Sequence, residues 1–247
     1  MNSDNYDMTQ NSDTKKIREI IENLPDELEL AEDQWYEYQY NKKRNLFILQ
    51  QILDIPRKTR MICVEEPGES YISSILRAFG YEVYQSMPSD TMNGSSGIAE
   101  DMAGTEKKYD AILLLNVIEL SREHPALFLR KRTSLLKDDG RMFITTENIS
   151  QFRNRLKLLL GRSIYLQRDS REPRSFRKFG VSELMMICAN SHLRVIKWDF
   201  LSPFPPYRIE ALTLLLYLLK YFNYFVMKVV PSFRDTIHIE AALDKAY

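Results

Sequence analysis

The run Ala111-Ile112-Leu113-Leu114-Leu115, set between Asp110 and Asn116, constrains the fold more than any other segment of this chain. It is continuously apolar rather than alternating, so it reads as a central strand covered on both faces. A strand of that kind needs helices above and below a mostly parallel sheet.

The neighbouring segments supply them. Met61 to Val64 reads as a strand, Ser70 to Phe79 as a helix, Tyr81 to Tyr84 as a strand, Pro125 to Leu136 as a helix and Gly140 to Thr146 as a strand. Strands joined by helices of this length form right-handed βαβ units, and ligands of such sheets sit at the carboxyl ends of the strands. Further on, Ile149 to Gly161 and Val181 to Ser191 read as helices and Leu193 to Phe200 as a strand. Arg208 to Val230 reads as a long helix and Thr236 to Leu243 as a last strand, which gives an antiparallel strand at one edge of the sheet. Residues 87–105, rich in Ser, Gly, Asp and Met, read as a loop with one poor strand near Ile98.

The boundaries follow from the same reading. Residues 1–13 are a polar, acidic tail without an apolar signal region, and residues 14–56 form an N-terminal helical extension with Ile17, Ile20, Ile21, Leu24 and Leu28 at helical spacing up to Pro25 and beyond. A second helix, Asp33 to Asp54, is aromatic at its start and apolar at its end, and is placed to cover the mouth or flank of the domain over 57–247. At 247 residues, 44% hydrophobic and 28% charged, the chain suits one α/β domain with additions. Its 34 basic and 34 acidic residues give no net charge and no sign of nucleic-acid binding. Cys63 and Cys188, far apart in apolar runs, exclude a disulfide framework and a cysteine zinc site, and point to a cytoplasmic setting. His124, His192 and His238 lack the spacing of metal ligands.

The order of pieces resembles the class I S-adenosylmethionine-dependent methyltransferases, a Rossmann-like α/β fold. Tyr109 to Leu120 looks like the family's fourth strand and the turn after it, and Phe128-Leu129, Leu135 to Arg141 and Met142 to Asn148 look like its next helix, turn and fifth strand. Arg153-Asn154-Arg155-Leu156-Lys157-Leu158-Leu159-Leu160-Gly161 resembles a branch linked with polysaccharide or lipid-linked glycan modification. The resemblance implies S-adenosylmethionine as cofactor, held by Glu65, Gly68, Gln85, Asp101 and Asn116, with Glu119 on the substrate side.

The cofactor end departs from the family pattern. Glu65-Glu66-Pro67-Gly68-Glu69-Ser70 keeps one clear glycine of the two or three the family carries; Pro67 removes an N–H donor, and Glu69 adds negative charge near the cofactor's methionine carboxylate. By itself, Gly68 also fits a plain βα turn. Gln85 stands where an acid takes the ribose hydroxyls, and Leu120 where a histidine often follows Glu119. Asp101 reads equally as an adenine contact or a solvated loop acid.

Between Arg153 and Lys178 the chain is strongly basic, and Arg162, Arg168, Arg171 and Arg174 read either as phosphate-holding groups over the substrate side or as a solvated basic face. Ala211 to Val230 approaches the length of a membrane span, but Lys220 near its centre costs roughly 2.5 to 3.5 kcal/mol on insertion scales. Its broad apolar face packs on the domain, self-associates, or lies peripherally at a membrane. The expectation is methyl transfer to a small-molecule or glycan acceptor, anionic and phosphate-bearing in its sharpest form. The alternative is a catalytically silent methyltransferase-like binding module. A third reading, an NAD-dependent dehydrogenase, is poor, since no strand leads into a glycine-rich dinucleotide turn.

Overall fold

The computed structural model describes residues 32–53, 61–67, 70–86, 108–165, 177–201 and 225–244, with single positions 15, 19, 20 and 23. Helix α1 (Glu32–Leu53) leads into β1 (Met61–Glu65), α2 (Tyr71–Ala78), β2 (Glu82–Ser86) and β3 (Tyr109–Leu115). Then come α3 (Pro125–Thr133), β4 (Leu136–Glu147), α4 (Phe152–Leu159), α5 (Val181–Asn190), β5 (Leu193–Leu201) and β6 (Thr236–Leu243).

The strands make one sheet in the order β2-β1-β3-β4-β6-β5. The pairs β1–β2, β1–β3 and β3–β4 are parallel, while β6 runs antiparallel to both β4 and β5. The expected mostly parallel α/β sheet is therefore present, with one difference: the reversed strand lies one place in from the edge, and β5 takes the edge. Insertion there lets β6 hydrogen-bond on both sides, which suits its apolar sequence and buried Ile237, Ile239 and Ala241.

Strand alternation divides the core into two layers. Cys63, Ile112, Leu114, Met142, Ile144, Ile237 and Ile239 point to the face covered by α3 and α5, where Phe128, Leu129, Leu184 and Ile187 meet them. Ile62, Val64, Ala111, Leu113, Leu115 and Phe143 point to the other face, against Tyr38, Ile48, Leu49 and Ile52 of α1 and Ile72, Ile75 and Leu76 of α2. Helix α1 is thus a core element of the sheet's second face.

Strand β4 starts earlier than its sequence suggests. Tyr109 pairs with Leu136 but Ala111 with Arg141, so Lys137 to Gly140 bulge out of the ladder. Gly140 is needed at that bulge, since a Cβ there would lie 2.8 Å from Leu136 Cδ1. Lys137 and the backbone N–H of Met61 both donate to Asp110, at 2.9 and 3.0 Å, tying the amino ends of β1, β3 and β4 together.

Of the expected helix over 14–30, positions 15, 19, 20 and 23 are helical and the rest lies outside the described residues, as do residues 1–13 and 87–107. The expected long helix Arg208 to Val230 is described only at its end, where 225–229 are helical. No helix among the described residues is long and apolar enough to cross a membrane.

Candidate functional site

The sheet order reverses between β1 and β3: the chain leaves β1 for β2 on one side and returns to β3 on the other. The carboxyl ends of those strands border the crevice in which ligands of open α/β sheets bind.

At the end of β1 two successive glutamates point to opposite faces, as strand geometry requires, and each meets an arginine from the helix on that face. Glu65 turns toward α3, where Arg132 donates to both its oxygens at 2.8 Å. Arg132 also donates to the Phe128 carbonyl at 3.0 Å and lies over the Phe128 ring, and both charged side chains are 1% exposed. Glu66 turns toward α1 and pairs with Arg44, whose Nε and Nη2 also donate to Asn45 Oδ1 at 3.2 and 3.0 Å. Arg44, Asn45 and Glu66 are all buried, yet Glu66 Oε2 has no hydrogen-bond partner among the described residues. Among the described residues Glu123 Oε2, Asp235 Oδ1 and the two ring nitrogens of His238 share that condition, but only Glu66 stands at the carboxyl end of β1.

Beyond β3, Asn116 takes a left-handed backbone conformation (φ 54°), which asparagine accommodates better than most residues. Its backbone N–H donates to the Thr145 carbonyl at 3.0 Å, and its side-chain oxygen accepts from Thr145 Oγ1 at 3.3 Å. Three residues on, Glu119 is buried and accepts from Thr146 Oγ1 at 2.8 Å and from the Glu147 backbone N–H at 3.4 Å. Burial pushes its carboxyl up to about 7, against the opposing pull of its own backbone N–H, the Thr146 hydroxyl, and the Lys178 and Arg44 charges. Lys178 pairs with Glu147, and burial lowers its affinity for a proton while Glu119 raises it. Glu119 therefore exchanges a proton near neutral pH, a property common at reacting sites.

Each residue named from the sequence can now be located. Glu65 is at the end of β1, with both oxygens committed to Arg132. Gln85 is exposed near the end of β2, in register with Val64. Asn116 and Glu119 lie on the turn after β3, at the rim the sequence assigned them. Arg162 is exposed just past α4, its backbone N–H bonded to the Lys157 carbonyl at 2.7 Å. Gly68, Asp101, Arg168, Arg171 and Arg174 lie outside the described residues.

Sequence reasoning missed Arg44, Asn45, Arg132 and the role of Glu66. The cue for Arg44-Asn45 was a polar pair inside the periodic stretch before Leu46 and Phe47. His238, read from the sequence only as a strand residue without metal-ligand spacing, is fully buried between Phe47 and Phe143, with ring centroids at 4.9 and 6.1 Å. Neither of its ring nitrogens has a hydrogen-bond partner among the described residues, and burial with the Lys197 charge nearby pulls its pKa down to about 3. Among the described residues no group of His, Cys, Asp and Glu is arranged to hold a metal ion.

No family model matches the chain, and no curated protein matches it. Solved structures do. A SAM-dependent methyltransferase from Archaeoglobus fulgidus is 14% identical, with a TM-score of 0.54 over 84% of this chain and 99% of that one. The magnesium protoporphyrin IX methyltransferase from Synechocystis PCC 6803 with bound S-adenosylhomocysteine is 13% identical, with a TM-score of 0.52 over 87% of this chain and 88% of that one. The plantazolicin methyltransferase in complex with a triazolic desmethylPZN analog and S-adenosylhomocysteine is 12% identical, with a TM-score of 0.52 over 94% of this chain and 99% of that one. At these identities the likeness is one of fold: the chain has the Rossmann-like fold seen in methyltransferases.

Proposed function

We propose that this chain, which has a methyltransferase fold, is an S-adenosylmethionine-dependent methyltransferase. The observation that carries the reading is the sheet itself: a β1–β3 switch point and a reversed β6 between β4 and β5, in a fold that spans nearly the whole of the methyltransferases it resembles. The residues at the switch point fit the cofactor's polar ends. Glu66 Oε2 is a buried acceptor in want of a donor, Gln85 is exposed near the end of β2 for ribose hydroxyls, and Asn116 lies at the end of β3. Gly68 and Asp101 complete the set by sequence. Glu65 contributes by fixing the end of β1 through Arg132.

The cofactor supplies an electrophilic methyl group on a sulfonium. Methyl transfer from it is an in-line displacement, so the protein's part is to align the acceptor and manage its proton. Glu119, with a carboxyl pushed up to about 7, takes the acceptor's proton as the methyl arrives, and Lys178 beside it stabilises the carboxylate when charged. An anionic or glycan-type acceptor is supported by the basic stretch after β4, of which Arg162 is exposed just past α4. Arg168, Arg171 and Arg174 extend that stretch, and phosphate on the acceptor suits four guanidinium groups. Peripheral membrane contact or self-association through 208–230 belongs to the same reading, since a lipid-linked glycan would bring the acceptor to a surface.

A specific observation supports a second reading, that of a silent binding module: Pro67 replaces an N–H donor in the first loop, and Glu65 is buried with both oxygens bonded to Arg132. Thermal melting with S-adenosylhomocysteine separates the two. A rise in melting temperature at millimolar ligand, absent for Gly68→Val, is expected of the enzyme; an unchanged melting curve favours the module.

A further inference from the structure

Resting on the cofactor assignment above, we propose that Arg44 and Glu66 together form a clamp for the amino-acid end of the cofactor, a zwitterion, in place of the backbone donors of a glycine-rich loop. The pair sits at the carboxyl end of β1 and is 6% and 5% exposed. Arginine carries five N–H donors; Arg44 commits Nε and Nη2 to Asn45 and Glu66, so the two donors of Nη1 remain for a carboxylate. Glu66 commits only Oε1, and Oε2 remains for an ammonium. One edge of the ion pair thus offers donors and the other an acceptor, the reverse of an α-amino acid's own charges.

Charge accounting favours this ligand class over others. The pair is neutral and buried, so a lone anion or cation would leave an uncompensated charge at low dielectric, whereas a zwitterion leaves none. The first loop points the same way, because Pro67 cannot donate and the methionine carboxylate needs donors from elsewhere. Helix α1 brings them: its apolar face, Ile48, Leu49 and Ile52, is held in the core, which fixes Arg44 and Asn45 over the strand ends. Arg44 also lies within charge range of Glu119, so it spans the ends of β1 and β3 where the cofactor's methyl would face the acceptor.

The test is calorimetric titration of the full chain with S-adenosylhomocysteine and with 5′-methylthioadenosine, which shares the nucleoside but lacks the amino-acid end. The clamp predicts that the wild type prefers S-adenosylhomocysteine by about tenfold or more, the value of one charge-assisted hydrogen bond. Arg44→Met and the nearly isosteric Glu66→Gln should each erase most of that preference and leave 5′-methylthioadenosine affinity unchanged, which also reports that the variant is folded. Equal affinity for the two ligands in the wild type overturns the clamp while leaving the cofactor assignment intact. Tighter S-adenosylhomocysteine binding by Arg44→Met overturns it too, showing the arginine to be a plug. Binding of neither ligand overturns the cofactor assignment and the clamp with it.

Discussion

Two parts of the same rim treat buried polar groups in opposite ways. At the end of β1, Glu65 and Glu66 are each given a guanidinium, from α3 and α1, so charge is fixed in place by two hydrogen bonds on Glu65 and one on Glu66. Around the carboxyl end of β4, on the turn after β3 and at the start of β6, burial instead drives groups toward their neutral forms: Glu119 is held up to about 7, Asp235 up to about 6, and His238 down to about 3. Fixed charge suits recognition of a ligand that is itself charged, and a carboxyl poised near neutrality suits moving a proton. On the proposed reading, the first is the cofactor end and the second the acceptor end.

Breaking the fixed pair should have the largest effect. Arg132→Met strands both Glu65 oxygens in the core and should cost about 3 to 5 kcal/mol in urea unfolding, much of it recovered in the double variant Glu65→Leu/Arg132→Met. A loss well under 1 kcal/mol would mean that water replaces the arginine and that the charge there is not fixed by the pair.

The neutral half is sharpened by pH. His238 has a lowered folded pKa of about 3 against 6.5 for a free histidine, so its contribution to stability is present above 6.5 and lost as the pH falls toward 3. His238→Leu should therefore be more acid-stable than the wild type, by about 2 kcal/mol near pH 4.5, with a flatter unfolding profile below pH 6.5. Glu119 has the opposite sign. Its raised folded pKa makes the protonated form the stabilising one, fully effective below 4.5 and lost as the pH rises to about 7. Glu119→Gln should remove that decline, leaving the variant about 3 kcal/mol better off relative to the wild type at pH 8 than at pH 4.5. In an active preparation the same variant should lose the limb of the rate profile centred near pH 7.

Exposed Arg162 should matter least to stability. Its replacement by Ala should change the unfolding free energy by less than about 0.5 kcal/mol, as for most surface sites. A polyphosphate or sulfated-glycan probe should nonetheless bind the variant more weakly, and with a smaller salt dependence, in fluorescence titrations.

The fold was legible because its core strands announce themselves. Ala111 to Leu115 and Met61 to Val64 are apolar on both faces, and the helices between them are bounded by Pro125, Gly180 and Ser70. What local pattern does not carry is the pairing of distant segments. The position of β6 inside the edge depends on β5 passing it by, and nothing in Thr236 to Leu243 states which neighbour it takes. The site was legible where a residue's place follows from the strand end, as for Asn116 and Glu119. It was illegible where a charged residue is buried by a partner far along the chain. Arg44 and Glu66 are 22 residues apart and Arg132 and Glu65 are 67 apart, and each arginine read locally is an ordinary exposed helix residue. His238 gave no signal either, because nothing in its strand sequence shows that the ring is stacked on Phe143 and met edge-on by Phe47.

The central claim is that the crevice over β1 and β3, under α1, holds the cofactor. A crystal structure of the full chain grown with S-adenosylhomocysteine tests it most directly. The account predicts ligand density at the carboxyl ends of β1 and β3, with the amino-acid end against Arg44 and Glu66 and the ribose on the Gln85 side. A saturated crystal in which Arg44 and Glu66 keep only each other and the ligand lies elsewhere, or binds nowhere, would contradict it.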